Sequence, residues 1–384
     1  MGGGLAGATL ANALLRHPHL DINIFESAPE FSERGAAVGI AVNGQAALAE
    51  IGGPVADVLQ RAGSVTMTSS RLCMASGPNA MEVVVDLAAE ERGKVVHRAA
   101  LLAELLKPID DAKKHTHKRV TRIDDSRGGL VIVHFDDNTT FEADAVIGAD
   151  GVRGHVRGHV LRPNHPALKA TNAENRQYGW VGDGGFFMHD VLDGEETVQC
   201  VLSQVEDWGD DEWTRPLDRE RLERVVMGWT ATPLKKNIVE AMLQNPDLKA
   251  FSQTHHATDA PTYAKDRVCV MGDAAHADTP WQGSGAGQAI EDAMILETLL
   301  AEVHNPSQVP IAIQAYDKIR RPRTQRIVHS SHGTGLILSG VGEGMGLDIE
   351  KVRAGLPERW LCIFAHDQKE HKREALEIFK ALQA

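Results

Sequence analysis

The first seven residues carry the pattern that most constrains this chain. Gly2, Gly4 and Gly7 form a G-x-G-x-x-G, and Glu26 follows 19 residues after the last of these glycines. Glycines at this spacing permit a tight turn and a close approach to a pyrophosphate at a helix N-terminus, and the later carboxylate can accept hydrogen bonds from a ribose. The pattern predicts a dinucleotide-binding turn. The alternative is a flexible glycine-rich N-terminus.

The position of this turn is unusual for a dinucleotide-binding fold. Such a turn normally follows a buried strand that lies near the centre of the sheet. In this sequence only Met1 precedes Gly2. We therefore expect the first strand of the sheet to be missing from this chain.

The hydrophobic pattern alternates helices and parallel-type strands at both ends of the chain, with a β-rich middle. The predicted helices cover residues 4–17, 99–106, 288–303, 310–327 and 371–382. The predicted strands cover residues 22–26, 65–74, 81–87, 130–135, 139–141, 145–149, 197–204 and 268–271. This order is typical of a dinucleotide-binding core that a second domain interrupts.

A second motif follows the predicted strand 145–149. The strand ends in Asp150-Gly151, and Arg153 and Arg157 come soon after. One acid and two bases at the end of a buried strand can bind a polar ligand. An Asp-Gly turn with solvated arginines is the common alternative.

A third motif follows the predicted strand 268–271. This strand ends in Gly272-Asp273, and Pro280 and the small residues 283–287 come before a helix. The strand would deliver the Asp273 carboxylate to the sheet edge, where it could bind a polyol hydroxyl. The small residues expose backbone N–H groups at a helix start, which stabilises negative charge. The alternative is a plain strand–loop–helix connection.

Together these motifs resemble those of the flavin-dependent aromatic hydroxylases (group A flavin monooxygenases) with the p-hydroxybenzoate hydroxylase fold, in their salicylate hydroxylase-like branch. His97-Arg98 matches a His-Arg pair of that family, and residues 316–323 match its C-terminal helix. The resemblance implies an α/β fold with a Rossmann-like FAD-binding domain, an inserted β-rich substrate domain and C-terminal helices. The FAD-binding domain would comprise 1–63, 94–160 and 264–330, the substrate domain 64–93 and 161–263, and the C-terminal helical segment 331–384.

The same resemblance implies FAD and NAD(P)H as cofactors. The positions it places at the cofactor are Gly2, Gly4, Gly7, Glu26, Ala37, Gly39, Arg98, Asp150, Asp273, Gly285, Ala286 and Gly287. Among these, Glu26 would bind the adenosine ribose, Asp273 the ribityl chain, and Ala286 would lie at the flavin pyrimidine edge. The catalytic candidates are Tyr178, His189 and Pro280, with Pro280 near the face of the flavin that reacts with oxygen.

The implied activity is monooxygenation of a small aromatic, phenolic compound. NAD(P)H would reduce the flavin, molecular oxygen would add at its C4a atom, and the resulting hydroperoxide would transfer one oxygen atom to the ring. The chain departs from the family at Gly154, where relatives have Ser, and after Pro166, where the substrate domain is shortened. A truncated family member that binds FAD weakly, or a flavin dehydrogenase on the same scaffold, are the alternatives.

The composition bears on partners and compartment. Lys and Arg number 40 and Asp and Glu 53, so the net charge of −13 argues against nucleic-acid or anionic-membrane binding. Four separated cysteines, no signal peptide and no apolar run of about 18 residues predict a cytoplasmic protein. The histidine pairs 155/159 and 329/332 lack a third ligand by spacing, so we expect no metal. The expected assembly is a monomer or homodimer.

Overall fold

The computed structural model describes residues 1–384 except 33–36, 67–69, 88–92, 127–128, 153, 161–169, 172–177, 193–196, 207–213, 244, 246–247, 253–254 and 257. The helices are α1 (Leu5–Leu14), α2 (Val42–Ile51), α3 (Val58–Arg61), α4 (Arg98–Leu106), α5 (His155–Val160), α6 (Arg219–Val225), α7 (Thr232–Met242), α8 (Asp273–His276), α9 (Gly285–Ala301), α10 (Val309–Leu338), α11 (Ile349–Gly355), α12 (Pro357–Phe364) and α13 (Gln368–Gln383).

The strands are β1 (Ile24–Phe25), β2 (Ala37–Ile40), β3 (Val65–Thr66), β4 (Ser70–Met74), β5 (Val83–Leu87), β6 (Lys94–His97), β7 (Lys114–His115), β8 (Val120–Asp124), β9 (Val131–Phe135), β10 (Thr140–Ala143), β11 (Val146–Gly148), β12 (Ala170–Thr171), β13 (Tyr178–Val181), β14 (Gly185–Leu192), β15 (Thr197–Gln204), β16 (Thr214–Pro216), β17 (Lys249–Phe251), β18 (His255–His256), β19 (Ala264–Lys265) and β20 (Val268–Val270). The mixed α/β class and the C-terminal helices agree with the sequence prediction.

The N-terminal turn lies beside two small parallel strand pairs. Strand β1 pairs in parallel with β7, and β11 pairs in parallel with β20. Met1 and Gly2 bridge the space between them. The Met1 nitrogen donates to the Ile147 oxygen at 2.8 Å, the Ala149 nitrogen donates to the Met1 oxygen at 2.6 Å, and the Gly2 nitrogen donates to the Phe25 oxygen at 2.8 Å. The described residues before α1 form this bridge rather than a strand.

A five-stranded sheet in the order β15-β14-β13-β4-β5 joins two distant parts of the chain. Both of its faces are covered. Because side chains alternate along a strand, Phe186 and Met188 face a cluster with Trp281 and the C-terminal helices, whereas Phe187 faces Trp229 beside α6 and α7. This sheet belongs to the predicted substrate domain, whose boundaries and shortening stay predictions. Residues 161–169 and 172–177, where the sequence loses similarity, lie outside the described part.

Helix α9 runs through the main core and is buried along most of its length because α1, α2, α10 and α13 pack around it. Its contact with α2 is close, since a Cβ added at Gly44 would lie 3.0 Å from the Gly287 Cα atom. The central position of α9 lets the residues at its start meet the N-terminal turn.

Helix α10 is longer than predicted. It covers 30 residues and contains Pro322, whereas the sequence pattern predicted a helix over 310–327. Its buried positions include Ile313, Tyr316, Arg320 and Thr324, so the packed face carries a charge. Neither α10 nor another described helix combines the length and the apolar character needed to cross a membrane.

Candidate functional site

The N-terminal turn is built so that only glycine fits at two of its positions. Gly2 has a φ of 101°, and a Cβ there would lie 2.1 Å from the Ala149 oxygen. A Cβ at Gly7 would lie 2.1 Å from the Gly2 oxygen. The turn therefore folds tightly onto the end of β11, and the N-cap of α1 is Gly4, which has no side chain to cover the first helical turn. This is a cradle in which a phosphate can approach backbone N–H groups.

Glu26 lies at the end of β1, directly against this cradle. Its Oε2 atom accepts the Gly3 N–H at 2.8 Å, and its Oε1 atom accepts the Ala28 N–H at 2.8 Å. These bonds hold the carboxylate beside the turn, the position that binding a ribose requires. The sequence prediction for the place of Glu26 agrees with this geometry, and its ligand stays a prediction.

Asp150 follows β11 at the edge of the same cradle. Its Oδ2 atom accepts the Val156 N–H at 3.1 Å, and its Oδ1 atom is buried without a partner among the described residues. Burial raises the pKa of this carboxyl. A Cβ at Gly154 would lie 2.1 Å from Oδ1, so the Ser expected there from the resemblance does not fit this arrangement. An unpartnered acceptor at this place is suited to a bound polar ligand.

Arg157 turns inward from α5, unlike a solvated arginine. Its Nη1 atom donates to the Ala274 and Ala275 oxygens at 2.9 and 2.8 Å, and the side chain is buried. Burial lowers the pKa of its guanidinium to about 10. The residue thereby ties the Asp150 motif to α8. Arg153, the other arginine of that motif, lies outside the described residues.

Asp273 starts α8, and its side chain is exposed. The backbone around it is fixed from both sides. The Gly272 N–H donates to Asp292 Oδ2 at 2.9 Å, and His256 Nε2 donates to the Asp273 oxygen at 3.0 Å. A fixed backbone with an exposed carboxylate suits recognition of a polyol, and this role of Asp273 stays a prediction.

The start of α9 provides a second place for negative charge. Ser284 is its N-cap, and Gly285, Ala286 and Gly287 form the first turn of this 17-residue helix. A Cβ at Gly287 would lie 3.0 Å from the Asn43 Nδ2 atom, so this turn packs closely on α2. Helix N-termini carry a partial positive charge that stabilises an anion.

One apolar recess connects the starts of α1 and α9. It is narrow, with a cavity volume of about 10 Å³, which is room for about one water molecule. Leu5 and Thr9 line it from α1, Ile40 from β2, and Ala286 and Ile290 from α9. The recess brings the first and third sequence motifs to a single site, although they lie about 280 residues apart in the chain.

Ala37, Gly39 and Arg98 belong to a strand pair and the helix that follows it. Strand β2 pairs antiparallel with β6, so that Ala37 lies opposite His97 and Gly39 opposite Val95. Arg98 begins α4 immediately after β6. Ala37 and Arg98 thus lie at one end of the strand pair, whereas Gly39 lies two residues further along β2, next to Ile40, which lines the recess.

The three catalytic candidates are not brought together. Tyr178 and His189 lie opposite each other on β13 and β14. His189 shares a sheet face with Phe187, at 5.8 Å between ring centroids, and burial lowers its pKa. Pro280 precedes Trp281, whose ring meets Phe186 edge-on at 5.6 Å on the opposite face. Catalytic roles for these residues stay predictions.

A buried ion network behind α9 was missed by the sequence patterns. Arg320 donates to Glu291 Oε2 at 2.6 Å and to Asp292 Oδ1 at 2.8 Å. Arg323 donates to both Glu291 oxygens at 2.8 and 2.9 Å. Although burial opposes ionisation, the two guanidinium groups hold the pKa of Glu291 well below its usual range. Continuing the helical spacing of Ile313 and Tyr316 to Arg320 would have placed a charge on the buried face.

Glu291, His366 and His371 also meet the geometric requirement for a metal site, because their ligand atoms lie within 4.8 Å of one another. Both carboxylate oxygens of Glu291 are already engaged by arginines, and burial lowers the pKa of His366 to about 4 and of His371 to about 2. Two guanidinium groups beside the carboxylate repel a cation. The cluster is therefore part of the ion network.

Asp278 is a further residue that the sequence patterns missed. It lies on the loop between α8 and α9, and its Oδ2 atom accepts the Ser284 hydroxyl at 3.0 Å. Part of the residue stays exposed, but protein atoms enclose its carboxyl group. Burial and the nearby charge of Asp273 raise the pKa of this carboxyl to about 7.

Comparisons with known proteins were made on sequence and on structure. The family described as FAD binding domain matches residues 1–331. The 6-methylsalicylate 1-monooxygenase of Aspergillus terreus is 34% identical over 413 residues, which cover 99% of this chain and 91% of that protein. A salicylate hydroxylase of Pseudomonas putida is 28% identical over 407 residues, which cover 96% of this chain and 92% of that protein.

The fold matches a solved structure described as a salicylate hydroxylase substrate complex. The TM-score is 0.80 at 22% sequence identity, and the match covers 97% of this chain and 96% of the solved one. The similarity extends over the sheets and the C-terminal helices alike.

Proposed function

This chain belongs to the FAD binding domain family and to its flavin-dependent aromatic hydroxylases, and we propose that it hydroxylates a small phenolic compound with FAD, a reduced nicotinamide and molecular oxygen. The observation that carries the proposal is the recess where the starts of α1 and α9 meet. The turn before α1, which suits a pyrophosphate, lies at one side of the recess. The start of α9, which suits an anionic ring system, lies at the other side.

The described residues suit a bound FAD. The glycine cradle leaves no space for a Cβ at Gly2 or Gly7. The buried Oδ1 atom of Asp150 has no hydrogen-bond partner among the described residues. We assign the pyrophosphate to the first turn of α1, the adenosine ribose to Glu26, and the ribityl chain to Asp273. Bound FAD supplies electron transfer from the nicotinamide and the activation of oxygen.

The protein's own contribution is binding, orientation and exclusion of water. The first turn of α9 would stabilise negative charge on the pyrimidine edge of the flavin. Apolar side chains of the five-stranded sheet, among them Phe186 and Met188, face Trp281 beside Pro280. Such surroundings keep water from a reactive centre.

We propose a phenolic acid of the salicylate type as substrate. Support comes from the relatives named for salicylate and 6-methylsalicylate, which this chain matches over nearly its whole length. Tyr178, His189 and Pro280 remain our candidates for substrate contacts. We also propose a cytoplasmic protein that works as a monomer or homodimer.

The first experiment measures the visible absorbance of the purified chain and the FAD released from it by heat. Phenolic acids are then screened for substrate-dependent oxidation of NADH and NADPH, oxygen uptake and product formed under isotopically labelled oxygen. Label in the aromatic product supports the proposal. Nicotinamide oxidation that needs no oxygen would instead indicate a dehydrogenase, and a chain that cannot be loaded with FAD contradicts the proposal.

A further inference from the structure

Asp278 places a carboxyl group directly at the start of α9. Its Oδ2 atom accepts the Ser284 hydroxyl at 3.0 Å, and a Cβ built at Gly285 would lie 2.8 Å from its Oδ1 atom. The carboxyl group therefore spans the N-cap and the first residue of the helix. Ala286, the next residue, lines the recess. A charge on Asp278 and a charge on a ligand at Ala286 would compete for the same helix end.

Among the described residues, no Lys or Arg forms an ion pair with Asp278. Asp273 and His276, the two ends of α8, act on it with opposite signs. From β18, the His256 N–H donates to the Ala277 oxygen at 3.0 Å. From α10, His332 stacks on His255 at 4.9 Å between ring centroids, and burial lowers the pKa of both His256 and His332.

Burial and the charge of Asp273 raise the pKa of the Asp278 carboxyl to about 7. At neutral pH this group therefore changes protonation in response to a small change in nearby charge. An anion that arrives at the start of α9 favours the neutral carboxylic acid, because two like charges in a low-dielectric place repel each other.

We propose that Asp278 takes up a proton when the flavin at the start of α9 becomes reduced, so that reduction of the flavin and protonation of this carboxylate are coupled. The inference rests on the proposed function, because it requires FAD at this helix end. Hydride transfer would break a C–H bond of NAD(P)H and add two electrons and one proton to bound FAD, leaving NAD(P)+ and one negative charge on the flavin. A second proton would pass from solvent to the Asp278 carboxylate and form its O–H bond.

The coupling is tested by the midpoint potential of the FAD-loaded protein, measured spectroelectrochemically between pH 6 and pH 9. Above a pH of about 7 the wild type takes up two protons per two electrons, whereas Asp278→Asn takes up one. The potential of the wild type should therefore fall about twice as steeply with pH as that of the variant. Infrared difference spectra should show a carboxylic acid forming on reduction of the wild type alone.

Ser284→Ala provides a second, milder variant. The Ser284 hydroxyl favours the ionised carboxylate, so its removal should shift the start of the steep region to higher pH. Equal slopes in the wild type and Asp278→Asn, with no infrared change, would overturn the coupling and leave the proposed function intact. A wild-type chain that cannot hold FAD would overturn both. If Asp278→Asn fails to fold, the coupling is tested by the shift of the steep region in Ser284→Ala and by the infrared signal of the wild type.

Discussion

The guanidinium of Arg320 lies 2.6 Å from a carboxylate oxygen of Glu291, and both side chains are fully buried. The same guanidinium contacts Asp292, which in turn accepts the Gly272 N–H. An arginine in α10 thus holds the loop that presents Asp273. The network connects a helix of the last quarter of the chain to the proposed ribityl site.

This network predicts a large loss of stability when its cation is removed. Arg320→Met removes the guanidinium that the fully buried Glu291 and Asp292 share and leaves them Arg323 and His276 as ion-pair partners, so the free energy of unfolding should fall by about 3–5 kcal/mol. Denaturant unfolding measures the change. Arg219→Met is the matched control, because its ion pair with Glu240 is exposed and should contribute nothing measurable. Equal unfolding midpoints for both variants would contradict the role of the network.

Removal of the Asp273 carboxylate should abolish flavin retention without unfolding the protein. The side chain is exposed, and the described loop is held by backbone bonds, so Asp273→Ala should keep the wild-type circular dichroism. A lost charge-assisted hydrogen bond corresponds to about 10- to 100-fold weaker binding. FAD content after purification gives the result. Asp86→Ala, on the sheet strand β5, is the control, and unchanged FAD content in Asp273→Ala would refute the assignment.

Replacement of Glu26 should weaken the binding of FAD rather than impair folding. Glu26→Gln keeps the size of the side chain but removes the charge that accepts the Gly3 N–H and, in our proposal, the ribose hydroxyls. We expect the FAD dissociation constant to rise about tenfold or more. Titration of the flavin-free protein with FAD, followed by fluorescence, measures it. The exposed Glu142→Gln on β10 should bind as the wild type does, and the same affinity in both variants would argue against a ribose contact.

Asp278 predicts a pH dependence of stability in the flavin-free protein. Because its pKa is raised from 3.8 to about 7 in the folded state, the native protein binds a proton that the unfolded chain has already released between pH 4 and pH 7. Stability from this group is present at low pH and is lost as pH rises through that window. The Asp278→Asn variant should not show this loss of stability as pH rises.

The stability of Asp278→Asn relative to the wild type should therefore increase from pH 4 to pH 7 and then level off. The total change is on the order of a few kcal/mol, since one pKa unit corresponds to about 1.4 kcal/mol. Chemical denaturation at pH 4, 5.5 and 8 gives the comparison. A stability difference that is constant across these pH values would show that the carboxyl titrates normally.

The sequence predicted the elements whose signal is local. The strand over 197–204 and the helix over 99–106 agree with β15 and α4 to within one residue, and the hairpin over 130–141 is confirmed as β9 and β10. The turn at Gly2 to Gly7 was predictable because the glycine spacing is a local pattern, although the steric demand on Gly2 comes from the distant Ala149 oxygen. The predicted helix over 310–327 ended too early, because α10 continues to Leu338 through Gly333 and Gly335, two residues of low helix propensity that tertiary packing overrides.

The missed parts depend on partners far apart in the chain. Nothing near Glu291 in the sequence indicates that Arg320 lies against it, since the pair forms only after two helices pack. In the sequence, Asp278 cannot be distinguished from an ordinary loop acid. Only the packing of its carboxyl group against the start of α9 distinguishes it. The contact between Phe186 on the sheet and Trp281 likewise depends on strand register and on a distant loop, which one sequence does not specify.

The bridge made by Met1 and Gly2 also has a consequence for biosynthesis. The hydrogen bonds of Met1 form only after Ile147 and Ala149 have been synthesised, and α1 packs on α9, which follows more than 270 residues later. The flavin cradle is therefore completed late in translation, and nascent chains stalled before residue 301 should not retain FAD.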